Sequence, residues 1–143
     1  MSIIKSLQDW LGEYEYMHIK KLSEIRTDIL DENSGSYAIV PSGNGKTVTD
    51  IIGNCTYINN YVFYARESLL DEADRVGTND FLEALQEWIE LKAEAEAYPK
   101  LKGRYSVNDI YATNAMLFDV NEDGTGIYQV QITVEIDKRR KEN

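Results

Sequence analysis

The sequence has few of the residues on which covalent cross-links, metal sites and catalytic relays depend. It contains one cysteine, Cys55, so no disulfide can form within the chain. Its one histidine, His18, would have to serve any Ser/His/Asp or Cys/His relay, and no serine lies in a nucleophile elbow. The 25 acidic residues contain no pattern that selects a catalytic pair. The sequence therefore predicts a protein that is not an enzyme and holds no cofactor or metal.

Positive charge is scarce as well. The chain has 15 Lys and Arg against 25 Asp and Glu, which gives a formal net charge of −10. This balance argues against a general affinity for nucleic acid, because phosphate binding needs clustered cations. The one basic run, KRRK at residues 138–141, is interpreted as a solvated tail in preference to a docking element for an acidic partner or a phosphate backbone.

Long apolar runs are missing too. No window has the length of a membrane span, and residues 1–15 lack the apolar region and cleavage site of a secretory signal. We therefore expect a cytoplasmic protein that does not contact a membrane. The length of 143 residues fits one domain, and the ten tyrosines supply large amphipathic side chains.

Two loop-like segments carry partial ligand-binding motifs. SGNGKT, residues 42–47, has the end of a phosphate-binding loop, but Val40 stands where the first glycine belongs and strand-forming residues follow. We interpret it as a mobile turn between strands. Residues 119–130 match a calcium loop at its first, third, fifth and sixth positions, but Val130 replaces the closing glutamate. A hairpin loop is the favoured interpretation, with calcium binding as the alternative.

Apolar periodicity predicts two main helices and an antiparallel sheet. The first helix starts after Ser2 and carries apolar residues from Ile3 to Tyr14, weakened by Gly12. The second spans about 80–97, with Asp80 and Glu83 as a capping box and Pro99 as its stop, and residues 69–76 form a short helix ahead of it. The predicted strands are SYAIV, residues 48–52, residues 56–65, and a closing hairpin of DIYATNAMLFDV and IYQVQITVEI joined by NEDGTG.

The hairpin's second arm places Tyr128, Val130, Ile132, Val134 and Ile136 on one face, so one face of the sheet is buried. The sequence therefore predicts an α+β fold in which a mostly antiparallel, mixed sheet packs against the two helices in two layers. We expect this domain to span residues 1–137, with a basic, flexible tail at 138–143.

The strand CTYINNYVFYA carries aromatic residues on both faces, which is more than one core requires. Two explanations remain open. Part of this aromatic surface meets another subunit, or helices cover both faces of the sheet.

Four segments occur in a recognisable order: SYAIV after an N-terminal helix, an aromatic strand ending in YARES, the helix FLEALQEWIE, and the hairpin YATNAMLFDVNEDGTGIYQVQITVEI. Over most of its length the chain thereby resembles the tail-terminator or minor capsid proteins of tailed bacteriophages that infect Gram-positive bacteria. The loop KLKGRYS is shorter and poorer in proline than in many such proteins. The residues that fill matching places are Arg66, Glu67, Trp88, Leu117, Phe118, Asp119, Tyr128 and Gln129.

The resemblance implies a structural virion protein that forms a ring, usually of six copies. The ring caps the tail tube, stops its polymerisation and offers a docking surface to head-completion or collar proteins, while DNA passes through without sequence-specific binding. Such a protein is found in the host cytoplasm during assembly and then in the tail or neck of the particle. The alternatives are a head-completion (neck or connector) protein and a collar component of a headless phage-tail-like bacteriocin.

The candidate contacts with other subunits or with the tube come from the aromatic strand, the SGNGK segment and the basic tail. They are Tyr57, Tyr61, Tyr64, Arg66, Asn44, Lys46, Lys138, Arg139 and Arg140. Outside this class, a small hydrolase or nucleotide-binding enzyme would need a polar cluster that the sequence does not reveal.

Overall fold

A computed structural model describes residues 3–13, 36–43, 45–68, 72–120, 122 and 124–139. These residues form two helices and five strands. In chain order they are α1 (Ile3–Leu11), β1 (Ser36–Pro41), β2 (Lys46–Thr49), β3 (Cys55–Ser68), α2 (Glu72–Glu94), β4 (Tyr105–Val120) and β5 (Thr125–Lys138). The predicted α+β class is confirmed.

The strands form one sheet in the order β1-β3-β5-β4, with β2 also bonded to β3. Every described pair is antiparallel, so the sheet is not mixed. β3 is central, because it pairs with β5 along one side and with β1 and then β2 along the other.

β1 and β2 are therefore collinear on one edge of the sheet. Pro41 faces Tyr61 and Lys46 faces Ile58, and between them the Ser42 amide donates to the carbonyl of Asn60 at 2.9 Å. The predicted turn between strands at SGNGK is thus wrong, because the chain continues in the same direction through it. The reversal comes later, between Thr49 and Cys55.

The closing hairpin is confirmed, and its strands are longer than expected. β4 pairs with β5 from Tyr105 opposite Lys138 to Val120 opposite Gly126. The alternation in β5 is confirmed as well, since its apolar members at even positions from Tyr128 to Ile136 are all buried. β4 lies at the border of the sheet.

Both helices pack on the face of the sheet to which these β5 side chains point. α1 contributes Leu7, Trp10 and Leu11 to the core, and α2 contributes Phe81, Leu82, Leu85 and Ile89. Each such side chain, once fully buried, stabilises the fold by about 1.5–3 kcal/mol relative to exposure. Within the described residues, the helices and the sheet therefore form two layers around a shared core.

The boundaries of the helices differ from the prediction. α1 ends at Leu11, next to Gly12, and Tyr14 lies outside the described residues. α2 is continuous from Glu72, so it includes the later part of the predicted short helix, and Asp80 is an internal residue where a cap was expected. Glycine inside a helix destabilises it by about 1 kcal/mol, and Gly77 lies inside α2. Burial of the apolar face of α2, which extends to Ile89, outweighs this cost.

Candidate interaction surfaces

β4 offers a long unpaired strand edge. Its partner in the sheet is β5, and no other described strand bonds to it. A border strand of 16 residues presents N–H and C=O groups that can pair with another chain, although the carbonyl of Ala112 already accepts from the Gln86 side chain at 3.5 Å. The edge is interrupted by register shifts at Val107/Asp109, Thr113/Met116 and Leu117/Asp119.

These irregularities expose consecutive apolar side chains near the hairpin tip. Asn114, at φ 57°, lies within the shift that precedes Met116, and such bulges redirect the side chains that follow. The exposed fractions are 51% for Met116, 40% for Leu117, 56% for Phe118 and 61% for Val120. We call these four residues the hairpin patch.

The hairpin patch reaches across the sheet to Tyr64. The ring centroids of Phe118 and Tyr64 are 5.9 Å apart, although β5 separates their strands. Tyr64 faces Gln129, on the side of the sheet opposite the helices. The contact fixes one side of the Phe118 ring and leaves more than half of its surface exposed.

A second apolar feature is the turn at residues 50–54 between β2 and β3, which we call the isoleucine turn. The Asp50 carboxylate accepts hydrogen bonds from the amides of Ile52 at 3.0 Å and Asn54 at 2.9 Å, and Gly53 adopts a φ of 93°. Ile51 and Ile52 are 103% and 60% exposed. The turn is held by Asp50 and Gly53, while its two isoleucines point into solvent.

The two apolar features lie at opposite ends of the sheet. Cys55, next to the isoleucine turn, pairs with Lys138, whereas the other end of β3 pairs with Thr125 beside the hairpin tip. At about 3.3 Å per residue, a strand as long as β3 separates the two ends by roughly 45 Å.

An open groove lies between α2 and β4. Its volume is about 450 Å³, and its described lining residues are Gln86, Glu90, Ala93, Glu94, Asp109, Ile110, Tyr111 and Ala112. Burial, followed by the negative charges of Asp109 and Glu96, raises the pKa of nearby Tyr98 above its ordinary value. The described lining combines carboxylates with apolar surface, and among these eight residues there is neither a cation nor a Ser or Cys nucleophile.

The three tyrosine candidates lie on two different faces of the sheet. Tyr61 is 5% exposed and lies in the core with Phe63, so it is not available as a contact residue. Burial raises the pKa of Tyr61, which an Asn59 hydrogen bond partly offsets. Tyr57 packs against the same core, with its ring 6.4 Å from that of Tyr105. Tyr64 alone among the three lies on the opposite face.

The charged candidates are dispersed. Lys46 is exposed in β2, and half-buried Arg66 donates to the Thr125 hydroxyl at 3.2 Å. Lys138 is the last residue of β5, and the Arg139 amide donates to the carbonyl of Arg104 at 3.0 Å. Lys138 and Arg139, which were expected to belong to a flexible tail, are therefore bonded to the sheet, and residues 140–143 lie outside the described residues. Asn44 and Arg140 lie outside the described residues.

The sequence predicted a tight turn or bulge at Gly53-Asn54, but it placed Ile51 and Ile52 in the preceding strand, which ends at Thr49, and it missed the exposure of the hairpin patch. The sequence of each segment nevertheless indicates that these side chains are exposed. Three successive apolar residues, Met116 to Phe118, cannot all face one side of a strand whose period is two. Ile51 and Ile52 are β-branched residues at a turn, where small or polar residues are usual.

The described residues of the motifs with possible ligand chemistry lie in strands or next to them. Val130, the last position of the calcium-like pattern, is fully buried in β5, and Asp119 lies in β4. Half-buried Cys55 places its Sγ 3.5 Å from the Thr49 hydroxyl. His18 lies outside the described residues. In the described part of the chain, no three His, Cys, Asp or Glu side chains are grouped to hold a metal.

The sequence matches no protein-family model and no curated protein. Across the described ranges, no helix is both long and apolar enough to cross a membrane.

Proposed function

We propose that the protein is a structural assembly protein, a tail terminator of a phage or phage-tail-like particle. In this role it forms a ring of six copies on the end of the tail tube, stops further polymerisation and provides the docking surface for head or neck proteins. It acts through contacts between proteins and is not an enzyme.

The hairpin patch is the observation that carries this proposal. Leu117 and Phe118, which fill matching places in the resemblance to tail terminators, are exposed here and are not part of the core. Exposed apolar side chains concentrated in one short segment of a small protein indicate a site of association. The family motif thus coincides with a surface suited to binding another protein.

The unpaired edge of β4 supports the same role. The patch continues an edge whose backbone groups can bond to an added strand, so one partner could use both. Subunits that meet through two different surfaces form rings when the rotation between them closes.

The charge of the chain suits a passage for DNA. With a net charge of −10, a ring of copies repels phosphate groups instead of retaining them. DNA can then move through the ring without sequence-specific binding. The remaining partners are the tail-tube protein on one side and a head-completion or collar protein on the other, first in the host cytoplasm and then in the particle.

Electron microscopy of the protein mixed with its tail-tube protein tests the proposal. We expect rings on one end of the tubes and tubes that no longer lengthen. Phe118→Asp should abolish both effects, whereas Glu87→Lys, on the exposed side of α2, should preserve them. Tubes that grow freely and carry no rings contradict the proposal, and rings bound to the portal side instead indicate a head-completion protein.

A further inference from the structure

We infer that the isoleucine turn of one copy docks onto the hairpin patch of the next copy. Neighbouring subunits then meet through opposite ends of their sheets. This inference rests on the proposed function and adds to it the two surfaces that are in contact.

The isoleucine turn has the shape and composition of an inserting element. Asp50 and Gly53 supply the hydrogen bonds and the backbone geometry that the turn needs, so neither isoleucine is required to form it. Ile51 is fully exposed, and Val48, at 47% exposure, extends the apolar surface along β2. A narrow apolar tip of this kind gains most by entering an apolar surface on another molecule.

The hairpin patch provides that surface at the other end. Phe118 contacts Tyr64 on one side, with the ring centroids 5.9 Å apart, and presents the rest of its ring to solvent. Met116 is unbranched and flexible, and such side chains adapt to the shape of a partner.

Charge selects the second copy as the occupant. The end with the isoleucine turn carries the cations Arg104, Lys138 and Arg139. Two of its carboxylates are engaged internally: Asp50 binds two turn amides, and Asp137 accepts from Thr56 and Asn108, both at 2.8 Å.

The end with the hairpin patch is acidic on its exposed surface. Asp119 and Glu122 are both exposed there, whereas Arg66, a cation at this end, is half-buried and bonded to Thr125. The two ends of the sheet are therefore complementary in charge as well as in apolar surface.

The same charges disfavour a symmetric dimer. Two hairpin patches brought together would oppose Asp119 and Glu122 of one copy to those of the other, and two isoleucine turns would oppose Arg104 and Arg139. The like charges stay apart only when the isoleucine turn of one copy meets the hairpin patch of another. A head-to-tail dimer has one free isoleucine turn and one free hairpin patch, so further copies can add until a closed ring or an open filament results.

Cross-linking between two differently tagged pools tests the contact. Both pools carry Cys55→Ser; one adds Val48→Cys and the other Met116→Cys, so Ile51, Ile52 and Phe118 are unchanged. A short bismaleimide linker is applied to each pool alone and to the mixture, free and bound to tubes. We expect the yield of cross-linked dimers in the mixture to exceed that of either pool alone by about tenfold. Replacing Met116→Cys with Glu87→Cys should remove the gain.

A charge exchange gives a second test. Asp119→Lys with Glu122→Lys should reduce cross-linking about tenfold by opposing cations to cations. Mixing these copies with copies that carry Arg104→Glu and Arg139→Glu should restore the cross-linking yield, because the facing charges are then opposite again.

The outcomes separate the two proposals. Rings on tubes without the Val48–Met116 cross-link overturn this inference and leave the proposed function in place. The cross-link in oligomers that ignore tubes supports the inference and contradicts the tail-terminator role. Strong cross-linking within one pool alone, which indicates a symmetric contact, overturns the inference, and so does failure of the charge exchange to restore the yield.

Discussion

Trp10 and Trp88 pack ring against ring, with centroids 4.7 Å apart and planes tilted by 48°. The contact joins α1 to α2, two helices that are far apart in sequence. On the other side, the indole N–H of Trp10 donates to the carbonyl oxygen of Ala97 at 2.8 Å, just beyond the end of α2. Trp10 is therefore the residue that fixes α1 against the remainder of the helical layer.

Replacing Trp10 should destabilise the fold in two measurable steps. Trp10→Phe keeps a ring but leaves the Ala97 carbonyl without its donor, which should cost about 1–2 kcal/mol in the free energy of unfolding. Trp10→Ala also creates a cavity and should cost about 3–5 kcal/mol. Urea unfolding followed by circular dichroism measures both. Asp9→Ala is the control, because it removes an exposed ion pair with Lys5 worth less than about 0.5 kcal/mol. Equal losses for all three variants would contradict this assignment.

Glu96→Gly should stabilise the protein. Glu96 has a φ of 55°, its amide donates to Ala93 and the Ala97 amide donates to Lys92, the two bonds of a Schellman helix end. Glycine adopts this left-handed conformation without the steric cost of about 1 kcal/mol that other residues incur. Thermal unfolding should therefore move upward for Glu96→Gly. Ala95→Gly, one residue earlier, lacks the positive φ and should lower stability. A lower midpoint for Glu96→Gly would show that the helix ends differently.

The end of α2 also shows how far the sequence predicts the fold. The alternation of apolar residues was sufficient to predict β5, and the apolar residues at helical spacing were sufficient to predict α2. In both elements one face is buried, so apolar residues recur with the period of the strand or of the helix. The prediction that Pro99 ends the helix was wrong, because α2 ends earlier, at a residue in the left-handed conformation. Glutamate rarely adopts this conformation, so the sequence does not indicate it at Glu96. The collinear β1 and β2 escaped prediction for a similar reason: glycines such as Gly43 signal irregular backbone, but not whether the chain reverses.

The candidate contact residues were predicted only in part. Alternation correctly placed Tyr61 and Tyr64 on different faces of β3. It could not indicate which face the helices cover, so Tyr61 was selected although it is buried. The exposure of Phe118 depends on the register shifts in β4, which are set by pairing with β5 and not by the local sequence.

Asp50→Ala should loosen the isoleucine turn without unfolding the domain. The change removes the acceptor for the amides of Ile52 and Asn54, a loss of about 1 kcal/mol because water replaces part of it. Amide hydrogen exchange should accelerate at these two residues and remain unchanged at core positions such as Val130. Asp50→Asn retains one side-chain oxygen and should have a smaller effect. Unchanged exchange in Asp50→Ala would show that Gly53 alone shapes the turn.

Stability should decrease at alkaline pH through Tyr61. Burial raises the pKa of Tyr61 above its ordinary value of 10.0 in the folded state. Below pH 10 the phenol is neutral in both states and the free energy of unfolding does not depend on it. Above pH 10 the unfolded chain ionises first, so the unfolded state is favoured and stability is lost. Urea unfolding from pH 8 to 11.5 should show a shallower decline for Tyr61→Phe than for the unchanged protein, and parallel curves would contradict this role.

The same substitution should have opposite consequences in the hairpin patch and in the core. Phe118→Asp places a charge where 56% of the side chain already meets water, so the free energy of unfolding should change by less than about 1 kcal/mol. Val130→Asp buries a charge at a fully enclosed position and should cost more than about 4 kcal/mol, enough to unfold much of the protein. Sedimentation should show a folded Phe118→Asp protein that no longer self-associates. If Phe118→Asp destabilises the domain as strongly as Val130→Asp, Phe118 belongs to the core, and the hairpin patch is not a binding surface.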